Sequence, residues 1–456
     1  MTSIRKHIAV GTFSLSISSV IQRVISLFVF FTLVTQLSLH DYGTLVLLFS
    51  FVGPGVMAMT MGIGKLIQTE IAINRGEEKE PETRNLLKNY LISGISIFIV
   101  LAVLSFILRV MVLEQYGFFL LQFHIPFLLY LLGQYGVNMI TIFMQGHEKF
   151  TKVSILGIAE PVFRLGGIFF ILYFMNLDLM EAFVLYMLSK WFTVFVGVLL
   201  AAPQIKNILN QQKIYTNKLI ELIKGAGKWM MTRNFLNEIL RGVNPWLIKI
   251  FLSVEAIAIY DVAMRIYSIL MRMFPFSTVL MAFIPRNIKN TGIITIVVHK
   301  VRKYFFLLSL FIIAGVWLAV DYVALSFLPQ YMESAILLKI VIFKLWIDGM
   351  AMGQQGVLYA HRRQKFLFGL FLYGFFQKLL LSIVMLYYFD LIGLVLVLLV
   401  HSLVLVLIKS YYIKEKLNLL HFRIKDYLSF DFYDKMILRE VIGSLKRFLS
   451  LRRQPK

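Results

Sequence analysis

Cysteine is absent from this 456-residue chain, which excludes disulfides and thiolate metal sites. Charge is scarce too: charged residues make up 15% of the chain, against about 25% in an ordinary soluble domain. Acidic residues are the scarcest charged class, with 24 Asp and Glu against 46 Lys and Arg. The eight histidines are scattered without the spacing of metal ligands, so neither a metal nor a cofactor is expected. No nucleophile motif appears. Gly225-Ala226-Gly227-Lys228 is not a phosphate loop, because Trp229 stands where Ser or Thr must follow the lysine.

What the chain has in abundance is apolar sequence. Hydrophobic residues make up 59% and recur in long runs along the whole length. A helical span needs roughly 20 apolar residues, and there is room for about a dozen. The formal charge of +22 would point to nucleic acid in a soluble protein. Here the basic residues lie mostly between apolar runs, the pattern of loops held on one side of a membrane, and no nucleic-acid partner is expected. Arg5 and Lys6 resemble a signal-peptide start, but the apolar stretch continues to about Val34 with no small-residue cleavage site, so an uncleaved first span is expected.

Twelve spans are predicted: 8–35, 43–69, 89–113, 117–144, 153–175, 182–202, 229–252, 257–284, 304–325, 335–358, 367–388 and 391–408. The loop charges support this map independently. With the N-terminus inside, the outer connections 36–42, 114–116, 176–181, 253–256, 326–334 and 389–390 contain no Lys or Arg. The inner ones hold Arg75 to Lys88, Lys149 and Lys152, Lys206 to Lys228, Arg286 to Lys303, Arg362 to Lys365, and a basic tail from Lys409. The asymmetry predicts an even span count with both termini cytoplasmic; the bacterial cytoplasmic (inner) membrane is the expected location. The long inner connection 203–228 sets Ile205, Ile208, Leu219 and Ile223 among lysines, as an interfacial amphipathic helix would, and the tail repeats the style with Ile437, Val441, Leu445 and Phe448.

The fold class expected is an all-α polytopic membrane protein with about twelve transmembrane helices in two six-helix lobes, 1–202 and 229–408. A cytoplasmic amphipathic linker, 203–228, joins them, and a basic amphipathic cytoplasmic tail, 409–456, follows. A weak internal repeat supports the division. Leu37-Ser38 with Tyr42-Gly43 returns as Leu252-Ser253 with Tyr260-Asp261, and Gln145 to Phe150 returns near His361 to Phe366. The offset is about 215 residues in both cases. Six spans is an even number, so the halves would be related by a pseudo-two-fold along the membrane normal.

The segment Leu37-Ser38-Leu39-His40-Asp41-Tyr42-Gly43, and Phe251-Leu252-Ser253 followed by Tyr260 to Ile266, resemble the polysaccharide-export branch of the multidrug/oligosaccharidyl-lipid/polysaccharide exporter superfamily. The resemblance reaches to about residue 408. It implies two helical bundles around a cavity that opens alternately to each side. It implies a flippase for O-antigen, capsule or exopolysaccharide biosynthesis, carrying an undecaprenyl-diphosphate-linked oligosaccharide. The pathway's polymerase and glycosyltransferases would be candidate partners, beside the membrane lipids. The alternatives are a multidrug cation antiporter of the same superfamily and a membrane enzyme, either a polysaccharide polymerase or a lipid-linked-sugar glycosyltransferase. An excess of buried cations argues against the antiporter. The short outer loops argue against the enzyme, since the longest, 326–334, has Glu333 as its only acid.

Ionised residues inside spans are costly unless they face protein, water or a partner. Glu160–Arg164, Asp261–Arg265 and Lys344–Asp348 at i,i+4, and Glu238–Arg241 at i,i+3, can neutralise each other on one helix face. Lys65, Arg109, Arg233, Lys249 and Lys339 lie near span ends and can snorkel. Arg23, Lys190, Arg272 and Lys378 lie well inside spans with no acid three or four positions away. A diphosphate supplies the charge and the acceptors that such cations need, and Arg meets it bidentately. Arg23, Arg272, Lys190 and Lys378 are therefore candidate substrate-binding residues, and what the resemblance implies adds Arg265 and Lys65. The resemblance agrees at helix level, because related lipid flippases place cations on their first, second and eighth helices. Asp348, Asp261 and Glu160 are the candidate ion-coupling residues, since a carboxylate at membrane depth can change protonation with conformation. Gly53-Pro54-Gly55 and Asn244-Pro245 are expected to kink or break spans 2 and 7.

Overall fold

The computed structural model describes residues 2–108, 122–209, 218–272, 276–419 and 434–435. All regular structure among the described residues is helical. In chain order the helices are α1 (Thr2–Gln36), α2 (Leu39–Ser50), α3 (Val52–Met59), α4 (Gly64–Gly76), α5 (Glu80–Leu108), α6 (His124–Gly146), α7 (Phe150–Phe174), α8 (Leu179–Leu209) and α9 (Lys218–Leu222). A π-turn, Ile223–Gly227, leads into α10 (Lys228–Phe251) and α11 (Val254–Arg272). Then come α12 (Phe276–Arg286), α13 (Thr291–Phe327), α14 (Met332–Val341), α15 (Lys344–Ala351), α16 (Gln354–Ala360) and α17 (Gln364–Leu417).

Eight helical segments among the described residues are long and apolar enough to cross a membrane. The last, α17, runs through non-helical backbone at Phe389 and Asp390, the two residues predicted to join spans 11 and 12. The regions predicted as spans 7, 8 and 10 are also helical but more polar or interrupted, and they fall on α10, on α11 with α12, and on α14 to α16. The end of predicted span 3, the start of span 4, and the tail residues Ile437 to Phe448 lie outside the described residues.

The chain forms two compact units. The first comprises Met1–Ala263, Ala324–Ser334 and Ser382–Leu391, and the second Met264–Val323, Ala335–Leu381 and Ile392–Lys456. In the first unit Ser38 caps α2 by accepting from Asp41 N at 3.1 Å, and Ser253 caps the start of α11 by accepting from Ala256 N at 3.2 Å. The recurring Leu-Ser pair is thus a recurring helix cap. The two helix starts lie together: His40 Nδ1 is 2.7 Å from Glu255 Oε1, and a Cβ on Gly43 would overlap the Val254 carbonyl.

Predicted span 2 is broken rather than kinked. Between α3 and α4 the chain passes through Met61 (φ 49°) and Gly62 (φ 62°), the left-handed region that suits glycine. The carbonyls released by the break find donors: Tyr90 Oη donates to Thr60 O at 2.9 Å, and Asn234 Nδ2 to Gly62 O at 2.8 Å. Gly53 and Gly55 serve close packing, because a Cβ at either would press on Glu238 or Leu131. The break expected at Asn244-Pro245 is absent. α10 runs unbroken through Pro245, and Asn244 Nδ2 donates instead to Tyr260 Oη at 3.1 Å. A proline inside a span is tolerated where neighbouring helices supply the lost contacts, and Trp246 Nε1 adds one to Ser50 Oγ at 2.9 Å.

Candidate functional site

In the first unit, α7 carries Glu160 and Arg164 one turn apart, and Pro161 follows the glutamate within the helix. α8 brings Lys190 to the same face, and its ammonium lies 2.6 Å from Glu160 Oε1. The Arg164 guanidinium hydrogen-bonds to that same oxygen. Both cations also lie over aromatic faces: Arg164 is 3.9 Å from the Tyr186 ring centre, and Lys190 is 5.7 Å from that of Tyr130. Phe49, from α2, closes the aromatic wall, 4.8 Å from Tyr186 and 5.4 Å from Tyr130 between ring centres.

The close approach of α6 to α8 depends on Gly133, whose Cβ would stand 3.0 Å from Lys190 Cβ. The side chains of Glu160, Arg164 and Lys190 are only 19%, 12% and 8% exposed. One carboxylate therefore shares a low-dielectric site with two cations, a net charge of one positive unit. Chemically, such a cluster can attract an anion and fix its position.

The second unit holds a related arrangement. Asp348 on α15 accepts from Lys344 Nζ at 2.6 and 2.7 Å and from Tyr267 Oη at 2.5 Å. The Lys344 ammonium is 5.6 Å from the Tyr267 ring centre. In the same unit, Lys339 of α14 pairs with Asp321 of α13 at 2.5 Å, so it is engaged across helices.

Among the predicted site residues, Glu160 and Lys190 come together. The ion pairs expected within one helix, Glu160–Arg164, Lys344–Asp348 and Glu238–Arg241, are present. Lys190 corrects the sequence reading: no acid stands near it along its own helix, and its counter-ion arrives from α7. Asp261 accepts from Tyr42 Oη at 2.6 Å. Arg23 on α1 and Lys65 at the start of α4 are exposed, whereas Arg265 on α11 and Lys378 on α17 are half-buried. Arg272 ends α11, and its side chain lies outside the described residues. Sequence reasoning missed Tyr130, Tyr186, Tyr267 and Tyr42. An aromatic residue at helical spacing carries no mark that separates a cation's partner from ordinary core.

The sequence matches the family described as polysaccharide biosynthesis protein over residues 8–291. No curated protein sequence matches the chain significantly. The fold is similar to that of an inward-facing multidrug resistance MATE family transporter of the MOP superfamily, with a TM-score of 0.71 and 13% identity over 90% of this chain and 98% of that one. It is similar to the lipid II flippase MurJ in an inward closed conformation, with a TM-score of 0.71 and 15% identity over 97% of this chain and 93% of that one. A third similar fold is a MOP superfamily transporter from Pyrococcus furiosus, for which reverse polarity of the binding pocket suggests a different function; its TM-score is 0.60, with 14% identity over 90% of this chain and 95% of that one. At these identities the likeness establishes the fold.

Proposed function

This chain belongs to the polysaccharide biosynthesis protein family, and from that premise we propose that it is a flippase rather than an enzyme. Its cargo is an undecaprenyl-diphosphate-linked oligosaccharide repeat unit, which it moves across the bacterial cytoplasmic membrane by alternating access. Twelve spans in two six-helix lobes, with both termini cytoplasmic, form the transport frame. A fold like that of a lipid II flippase supports a lipid-linked cargo. The observation that carries the anionic character of the cargo is the buried pairing of Arg164 and Lys190 with a single carboxylate, Glu160.

Arg23, Lys65, Arg265, Arg272, Lys190 and Lys378 meet the diphosphate along its path. A mid-membrane Arg is unfavourable by roughly 3 kcal/mol on insertion scales, and a diphosphate offsets that cost with charge and acceptors. Glu160, Asp261 and Asp348 are the carboxylates through which a proton or sodium gradient drives the cycle. Each is already engaged by a cation or a tyrosine, so a change of conformation that separates the partners changes its affinity for a cation.

Cells that depend on this protein and lose it should accumulate complete lipid-linked repeat units on the inner leaflet. Single units displayed outside would instead identify a polymerase. Arg23→Gln combined with Arg272→Gln should abolish export while the protein still inserts and accumulates. Normal export from that well-expressed double variant would remove the diphosphate-binding role from these arginines.

A further inference from the structure

Arg241 lies near the middle of α10, at the depth predicted for the centre of span 7, and its side chain is 71% exposed. An ionised group at that depth is costly against lipid and too far from either end of the helix to snorkel, so the face it stands on decides what it meets. At about 100° per residue, Asn234, Asn237, Glu238, Arg241 and Asn244 fall within an arc of about 120°. Ile239, Val243 and Ile250 lie nearly opposite, on the side that suits lipid. Both flanks of the polar arc are bonded to neighbours. Asn234 Nδ2 donates to Gly62 O at 2.8 Å, at the α3–α4 break, and Asn244 Nδ2 donates to Tyr260 Oη of α11 at 3.1 Å. Arg241 emerges between these two flanks. Its guanidinium is held in place, with Nη1 donating to Glu238 Oε1 at 2.8 Å, and the Glu238 side chain is only 15% exposed. Gly53 of α3 seats that carboxylate, because a Cβ there would stand 2.6 Å from Glu238 Oε2.

We propose that Arg241 is a further cargo contact, presenting its guanidinium to the diphosphate of the lipid-linked oligosaccharide from the polar arc of α10, and that Glu238, seated against Gly53, is the residue that positions it. This role rests on the flippase function proposed above. A guanidinium carries five N–H donors in a fixed fork. Glu238 engages one nitrogen, and donors on the others can meet phosphate oxygens. With a carboxylate beside it, the arginine is tolerated at membrane depth while no cargo is present. The same carboxylate balances its charge, so the pair can hold the diphosphate without trapping it on the way across. The i,i+3 spacing of Glu238 and Arg241 gives only a self-neutralising pair; the exposure of the arginine and the arc it shares separate it from a brace.

The chain has no native cysteine, so Asn237→Cys, one turn from Arg241 on the same arc, supplies a single reporter. In nanodiscs holding the full-length protein, a membrane-impermeant thiol reagent should modify it, since the reactive thiolate needs water. Undecaprenyl diphosphate should protect it, and undecaprenol should not. Arg241→Gln should raise the undecaprenyl diphosphate concentration for half-protection about tenfold, the loss of one charge-assisted hydrogen bond. Arg241→Lys should raise it less. Gly53→Ala, which displaces the Glu238 carboxylate without removing a charge, should fall between the native chain and Arg241→Gln. If the ion pair only braces α10, Arg241→Gln will lower the unfolding midpoint and leave half-protection where it was, which overturns the contact. A thiol at 237 that does not react means that this face meets lipid or protein, and also overturns it. Exchange of the lipid-linked cargo in liposomes reports the flippase function separately. Protection that is absent, or equal with and without Arg241, in a protein that exchanges the cargo overturns the contact and leaves that function standing. Loss of exchange and protection together in the chain with Arg241 intact overturns both.

Discussion

Glu160 is the residue on which the buried charge between α7 and α8 depends. Glu160→Gln leaves Arg164 and Lys190 buried without their anion, and breaking such a pair from one side costs about 3–5 kcal/mol. Lys190→Met leaves Arg164 with Glu160 and replaces a buried ammonium by an apolar chain of similar length. In detergent, Glu160→Gln should therefore lower the unfolding midpoint far more than Lys190→Met, and equal losses would contradict the shared-carboxylate geometry. Outside the spans, His147 caps α6, with Nδ1 donating to Phe143 O at 2.9 Å, and burial holds its imidazole below the ordinary histidine range. The folded chain thus binds that proton less readily than the unfolded chain does. Its contribution is fully present above the unfolded value of about 6.5 and is lost as pH falls through the lower folded value. His147→Gln should flatten the fall in midpoint below neutral pH, and an unchanged pH profile would rule this contribution out. What was legible at this scale was whatever lies on one helix. Glu160–Arg164 and Lys344–Asp348 follow from spacing alone, whereas Lys190–Glu160, Tyr267–Asp348 and Tyr42–Asp261 join separate helices and depend on packing that spacing does not encode.

Among the elements, the α3–α4 break shows how a glycine-rich span is used. Gly62 alone of the glycines in that span needs a positive φ. Gly62→Ala should destabilise the first unit by about 1–2 kcal/mol. Gly166→Ala, where a Cβ meets nothing, should be neutral or slightly stabilising. Equal effects on the unfolding midpoint would mean that the break can relax. Gly and Pro announced irregularity in span 2 without saying whether the helix would bend or part, and at Pro245 they announced one that packing removes. The apolar runs were more reliable, because burying unpaired backbone in lipid is costly enough that a run must be helix. The loop charges make a further prediction. Reporter fusions at His40, Asp178, Gln330 and Asp390 should all lie outside, and a cytoplasmic signal from any one of them would break the map.

At the scale of the whole molecule, a helical fold shared with MATE transporters and a lipid II flippase meets an excess of basic residues, 46 against 24 acidic. The polytopic fold was legible in hydropathy and loop charge. The buried ion pairs between helices were legible only as a surplus of cations, because which side chains converge is a property of the assembled helices. The proposal that those cations read the cargo is tested most directly by transport itself. Purified protein is reconstituted into liposomes with a fluorescent undecaprenyl-diphosphate-linked oligosaccharide, and a membrane-impermeant reductant reports the fraction that stays protected. The native chain should exchange the lipid between leaflets and should ignore an undecaprenyl-linked oligosaccharide that lacks the diphosphate; the Arg23→Gln, Arg272→Gln variant should exchange neither. Equal exchange of the two lipids by the native chain, or undiminished exchange by the double variant, would contradict recognition of the diphosphate by positive charge.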